Sequence, residues 1–295
     1  MTPGERGFLL LSSTLGNPER KPLTSAQLRT LSQRVAMMSK PGADRDLEMA
    51  DLLALGYDRE TARRILALLG EDELLDYYLR RGMRSGCVPI TRVSAGYPVR
   101  LRKRLGEESP GVLWAKGDMS ILSRPGIALV GSRDIRPENR RFAEEVGRQA
   151  ALQGYVLISG NARGSDRVAQ DACLSAGGKV ISVVADELEK QPMKENVLYL
   201  SEEGFDSAFT SPRALSRNRV IHALGEKTFV AQCRLAQGGT WSGTVQNLRH
   251  GWSQVLCFRD GSEAADQLMR LGAAAVGIED LADLRALRNE SLRLF

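Results

Sequence analysis

From Gly126 onward the apolar positions fall in short unbroken runs, separated by longer stretches in which they recur every three or four places. Ile127-Ala128-Leu129-Val130 and Tyr155-Val156-Leu157-Ile158 open the series, and further runs follow at 179–184, 197–200, 228–231 and 254–258. Unbroken runs predict strands buried on both faces, because alternate side chains must each find apolar company. The intervening periodicity predicts helices over 137–153, 166–176, 214–224, 242–250 and 263–271. Strand and helix in alternation predict an α/β fold with a mainly parallel sheet covered on both sides, over residues 113–277.

The first 85 residues follow another pattern and read as a small helical domain. Leu9, Leu10, Leu11 and Leu15 begin it, and Leu28, Leu31 and Val35 mark a helix from Ser25 to Met38 with Thr24 as its N-cap. Pro41-Gly42 breaks the chain. Leu47 to Leu69 suits two helices around Gly56, either a helix-hairpin-helix that holds a phosphate backbone or a plain packing unit. Residues 86–112 read as a linker, with a short strand at Val88-Pro89-Ile90 and a short helix opened by Tyr97-Pro98. The last residues, 278–295, read as a helical tail carrying Leu281, Leu284, Leu287, Leu292 and Leu294.

Composition narrows the function. The apolar share is 42% and the charged share 26%, values of an ordinary globular protein. No run approaches the roughly 18 apolar residues of a membrane span, and the first 20 residues lack the pattern of a secretory leader. A cytoplasmic protein is expected. Cys87, Cys173, Cys233 and Cys257 are widely spaced, and His222 and His250 are the only histidines. A zinc site or a histidine-based triad is hard to build from that set, and neither cofactor nor metal is expected. The net charge of +5 favours an anionic partner without proving one.

The loops carry the chemistry. Val130 runs into Gly131-Ser132-Arg133, and Ile158 runs into Ser159-Gly160-Asn161-Ala162-Arg163-Gly164-Ser165-Asp166. Each is a strand, a glycine-bearing turn with an arginine, and then a helix whose N-terminus offers free N–H groups to a phosphate. Gly177-Gly178-Lys179 feeds the next strand. Arg217-Asn218-Arg219 lies on a helix, where an i, i+2 pair does not share a face, so one arginine meets a ligand while the other braces the loop or pairs with a carboxylate. Gly238 to Thr244 forms another glycine-rich turn. Several such turns along one sheet edge describe a groove for nucleic acid better than a pocket for one nucleotide. Catalysis is poorly supported: Asp166 reads as an N-cap and Glu202 as an arginine partner. Phe205 and Phe209 are the best candidates for stacking on bases.

Taken in order, Val130-Gly131-Ser132-Arg133, Ser159-Gly160-x-Ala162-Arg163-Gly164-x-Asp166, Gly177-Gly178-Lys179, Ser201-Glu202 and Arg217-Asn218-Arg219 resemble the DNA-processing protein A (DprA/Smf) family. The resemblance runs from about Gly82 to Gly277, and the chain looks like a divergent paralogue. It implies an extended Rossmann-like domain of the SLOG type that binds single-stranded DNA without catalysis, self-associates as a dimer and loads the recombinase RecA. By motif position it implies that Arg133, Arg163 and Lys179 face phosphates. Arg217, Asn218 and Arg219 would complete the pocket over a floor of Gly160 and Gly164. Departures from the family pattern fall at Gln170, at Gln232 and in the Gly238–Gly243 turn, and the winged-helix domain that often closes the family's chains has no room after Ile278. Two other readings stay open: a sensor of a nucleotide-derived ligand, and a phosphoribohydrolase-like enzyme, for which Val245-Gln246-Asn247 lacks the needed carboxylate.

Overall fold

A computed structural model describes residues 1–38 and 46–287; the break expected at Pro41-Gly42 lies outside the described residues. Five helices open the chain: α1 (Pro3–Ser12), α2 (Ser25–Ala36), α3 (Met49–Ala54), α4 (Arg59–Leu69) and α5 (Asp72–Arg84). Thr2 and Thr24 close reciprocal capping boxes with Glu5 and Gln27, which fixes where α1 and α2 begin. In α5, Leu75 and Tyr78 are buried while Tyr77 is exposed.

The segment read as a linker is part of the sheet. It supplies β1 (Cys87–Thr91), which pairs antiparallel with β2 (Val112–Gly117), and between them α6 (Val99–Leu105). The alternating series then runs β3 (Gly126–Val130), α7 (Pro137–Leu152), β4 (Val156–Ser159), α8 (Ser165–Ser175), β5 (Lys179–Val183), β6 (Val197–Ser201), α9 (Ser211–Leu224), β7 (Lys227–Val230), α10 (Gly238–His250), β8 (Gln254–Phe258), α11 (Glu263–Arg270) and β9 (Ala274–Val276). Among the described residues these strands form one sheet in the order β1-β2-β6-β5-β4-β3-β7-β8-β9. The pairs from β6 through β9 are parallel, and β2 joins β6 antiparallel.

Alternation across each strand sorts the core into two layers. Ile127 and Leu129 of β3 pack with Phe142 and Val146 of α7 and Ala169 and Cys173 of α8. Ala128 and Val130 face the other way, onto Val220 and Ile221 of α9, Leu101 of α6 and Leu268 of α11. Leu9 and Leu10 of α1 and Leu75 and Tyr78 of α5 belong to the first layer, so the leading helices share the sheet's core. A smaller cluster of Leu31, Leu52, Ile65 and Leu68 holds α2, α3 and α4 together.

The expected helical tail is corrected for its described part. Residues Glu279–Ala282 form a single 3-10 turn, because Leu281 and Leu284 dive into the core beside α7 instead of following a helical face. Leu292 and Leu294 lie outside the described residues. Strand β9 is too short and too alanine-rich to stand out as an apolar run. Among the described residues no helix is long and apolar enough to cross a membrane.

Candidate functional site

After β3 the chain goes to β4, β5 and β6 on one side, and it returns to β7, β8 and β9 on the other. Adjacent loops diverge at such a reversal and leave a crevice at the carboxyl ends of the strands. A cavity of about 460 Å³ opens there, between the loops after β3 and β7 and the helices α9 and α10.

Its rim is set by two loops locked together. A Cβ on Gly131 would lie 2.2 Å from Ser165 Oγ, so only glycine lets the loop after β3 settle on the start of α8. Ser165 then donates to Ser132 O from both its backbone N (3.1 Å) and its Oγ (3.0 Å). Gly164 has φ +85°, and a Cβ there would meet the carbonyl oxygens of Ser132 and Arg133 at 2.4 Å. The lock turns Arg133 outward. It is exposed and, among the described residues, has no side-chain hydrogen bond or ion pair.

Beside it stands the amino end of α10. Gln237 makes no side-chain cap there and the first turn holds no acidic residue, so the end keeps its positive character. Thr240 Oγ1 donates to Gly131 O at 3.0 Å, and Asn218 Nδ2 donates to Gly239 O at 3.1 Å. An uncapped helix end and a guanidinium without a partner among the described residues, over one cavity, make a cradle for an anion.

The floor holds two buried groups of opposite charge, Arg217 and Asp166. Arg217 Nη1 donates to Val183 O at 2.6 Å, and its guanidinium fills the space a Gly160 side chain would need. Asp166 Oδ2 accepts from Gly160 N at 3.0 Å and from Ala162 N at 3.4 Å, so Asp166 staples its own loop, and Gly164 takes the N-cap position. Burial raises the Asp166 pKa against the pull of the Arg217 charge and the two N–H groups. Burial likewise lowers that of Arg217 against the pull of Asp166. Each charge offsets the desolvation of the other.

His222 also lines the cavity, a placement with no local signal beyond its position on a helix near Arg217. Its Nδ1 lies 3.2 Å from both Asn247 Nδ2 and Thr228 Oγ1, and its Nε2 has no hydrogen-bond partner among the described residues. Burial pushes its pKa from 6.5 down to about 3, so the ring is neutral.

The predicted set divides. Gly131, Ser132, Arg133, Arg217, Asn218 and the half-exposed Phe209 line the cavity, and Gly160 and Gly164 shape it from behind. Arg163 stands at the mouth, where it pairs with Asp134 at 2.8 Å. Arg234, which the sequence reading missed because it follows no glycine turn, approaches the same carboxylate at 3.5 Å.

Four expectations are corrected. Lys179 opens β5 opposite Val156, the first residue of β4, so it sits at the amino end of the parallel strands, away from the cavity, and donates to Asn196 Oδ1 at 3.0 Å. Arg219 leaves α9 on another face, where it pairs with Glu202 at 2.9 Å and donates to Glu108 O in a separate groove. Ser159 is buried beneath its loop, accepting from Gln170 Nε2 at 2.5 Å. Phe205 is fully buried between Tyr78 and Trp114, with ring centroids at 4.6 and 4.8 Å, and no base can reach it. The turn at Gly56 is also occupied: Asp58 accepts from Thr61 N at 2.8 Å and puts a carboxylate on the helix end that a phosphate would use.

An open sheet wound on both faces, with its cavity at the strand reversal, defines a Rossmann-like α/β protein. Residues 89–286 match the family of DNA recombination-mediator protein A, and the chain belongs to that family, DprA/Smf. It is 28% identical over 176 residues to DNA processing protein DprA of Bacillus subtilis, covering 56% of this chain and 57% of that one. Against DprA of Streptococcus pneumoniae it is 28% identical over 183 residues, covering 59% and 60%. The chain thus spans under two thirds of the length of these relatives. The crystal structure of the Streptococcus pneumoniae protein superposes with a TM-score of 0.67 at 23% identity, over 88% of this chain and 97% of that one. A structure of DNA processing protein A from Helicobacter pylori, described for its single-stranded DNA binding mode, gives 0.55 at 21% identity, over 66% and 92%. Likeness at these identities shows the fold.

Proposed function

We propose that the cavity at the β3/β7 reversal binds single-stranded DNA, and that the chain acts without catalysis in DNA processing and recombination. The observation that carries this reading is Arg133, exposed and, among the described residues, without a side-chain hydrogen bond or ion pair, beside the uncapped end of α10. Phe209, half exposed at the same cavity, offers a stacking surface. The Helicobacter pylori relative's binding mode supports the same ligand class. Chemistry on the strand finds little support: Asp166 is held by backbone N–H groups and His222 is neutral and buried. Asn247, where the hydrolase reading needs a carboxylate, is bonded to Ser253 and His222. Dimer formation and loading of RecA rest on family membership alone and are part of the same proposal.

The test is fluorescence anisotropy with labelled single-stranded and duplex oligonucleotides across a salt series. A single-strand preference with a steep salt slope is expected, since several phosphates release their counterions together. A second reading has its own observation. The cavity's volume of about 460 Å³ suits a single nucleotide-derived ligand, for which the salt slope would be shallow.

A further inference from the structure

Asp134 joins three loops across the mouth of the cavity. It follows Arg133 in the loop after β3, and its Oδ1 meets Arg163 Nη2 of the loop after β4 at 2.8 Å. Its Oδ2 lies 3.5 Å from Arg234 Nη2 of the loop after β7. The backbone of Asp134 is pinned: its N donates to Ser132 Oγ at 3.3 Å and its O accepts from Gln232 Nε2 at 3.1 Å. The carboxylate is not pinned in this way. Both arginines and Asp134 itself are well exposed (side chains 80%, 66% and 65%), so the two ion pairs sit in water and are weak. A carboxylate held between two guanidiniums has the charge and acceptor geometry that guanidiniums also take from phosphate.

We propose that Asp134 is a removable stand-in for a backbone phosphate. In the free protein its carboxylate holds Arg163 and Arg234 together, and a phosphate of the bound strand displaces it and takes both guanidiniums. This marks a second phosphate position at the mouth, separate from the cradle of Arg133 and α10, and it makes Asp134 a determinant of affinity. The proposal rests on the reading of the cavity as a nucleic-acid site. A ligand with one phosphate fills the inner cradle and leaves the carboxylate in place, whereas a strand reaches both positions.

The experiment uses the full chain and a labelled oligothymidylate, with anisotropy measured across a salt series. Asp134→Asn should tighten binding about five- to tenfold and steepen the log–log salt slope by about one, because the two arginines enter the free state without an internal counter-charge. In an Arg163→Gln/Arg234→Gln background the same change should gain less than about twofold, which is the size left for general charge removal. Thermal melts check that each variant folds, and all three positions are exposed enough to tolerate the changes. If the wild type binds and Asp134→Asn binds no tighter, the stand-in idea is overturned while the nucleic-acid reading survives. An undiminished gain in the double-glutamine background overturns it as well. If neither the wild type nor Asp134→Asn binds any oligonucleotide, the nucleic-acid reading falls and takes this proposal with it.

Discussion

Gly160 and Arg217 contend for one volume: a Cβ built on the glycine would lie 1.6 Å from the arginine's Nη1. The arginine is buried and donates to Val183 O, so it has nowhere to retreat without losing that hydrogen bond. Gly160→Ala should therefore cost about 3 kcal/mol or more, since a buried charged group is pushed off its hydrogen bond and out of its packing. Gly96→Ala, with open space around it and no positive φ, should change stability by less than about 0.5 kcal/mol. Urea unfolding of the two variants gives the comparison.

Arg133 and Lys179 stand at opposite ends of the parallel strands. Arg133→Glu should weaken oligonucleotide binding more than about tenfold and flatten the salt slope by about one to two, leaving the melting temperature unchanged. Lys179→Ala should leave anisotropy curves unaltered, because its ammonium serves Asn196 at the other end of β5. Equal losses in both variants would contradict the placement of the site.

The two phenylalanines make opposite predictions. Phe209→Ala should cost about 1–3 kcal/mol in binding if a base stacks on it, with stability kept. Phe205→Ala should cost about 3–5 kcal/mol in folding, since it empties the space between Tyr78 and Trp114. Protein of the Phe205 variant that remains folded should bind as the wild type does.

Much of this arrangement is legible in the residues. Fully buried parallel strands announce themselves as apolar runs, and 254–258 is observed with the predicted limits. Gly131, Gly160 and Gly164 are legible because close backbone approach tolerates nothing larger. Lys179 and Phe205 were misplaced for a shared reason. Proximity to a motif in sequence does not say which end of a strand a side chain occupies, or whether an aromatic in a loop faces outward. Arg219 shows the same limit in reverse: its spacing from Arg217 predicts separate faces, and that rule outweighs the motif that names both. Asp134, Arg234 and His222 carry no local signal, since each acquires its role from loops or helices brought together only by the fold.

His222 ties stability to pH. Its pKa is depressed from 6.5 to about 3 in the folded chain, so the unfolded chain binds a proton first. Its contribution is complete above pH 6.5 and declines as pH falls toward 3. Between pH 7 and pH 5 the wild type should lose about 2 kcal/mol more than His222→Gln does, at about 1.4 kcal/mol for each unit below the ordinary value. Chemical denaturation of both proteins at the two pH values measures that difference, and matching losses would refute the role assigned to the ring.

Tyr78 of α5 packs against both Trp114 of β2 and Phe205, and Leu9 and Leu10 of α1 join the same core as β3. The leading helices and the sheet therefore share one core, and a chain cut back to the sheet would leave Trp114 and Phe205 without the ring that covers them.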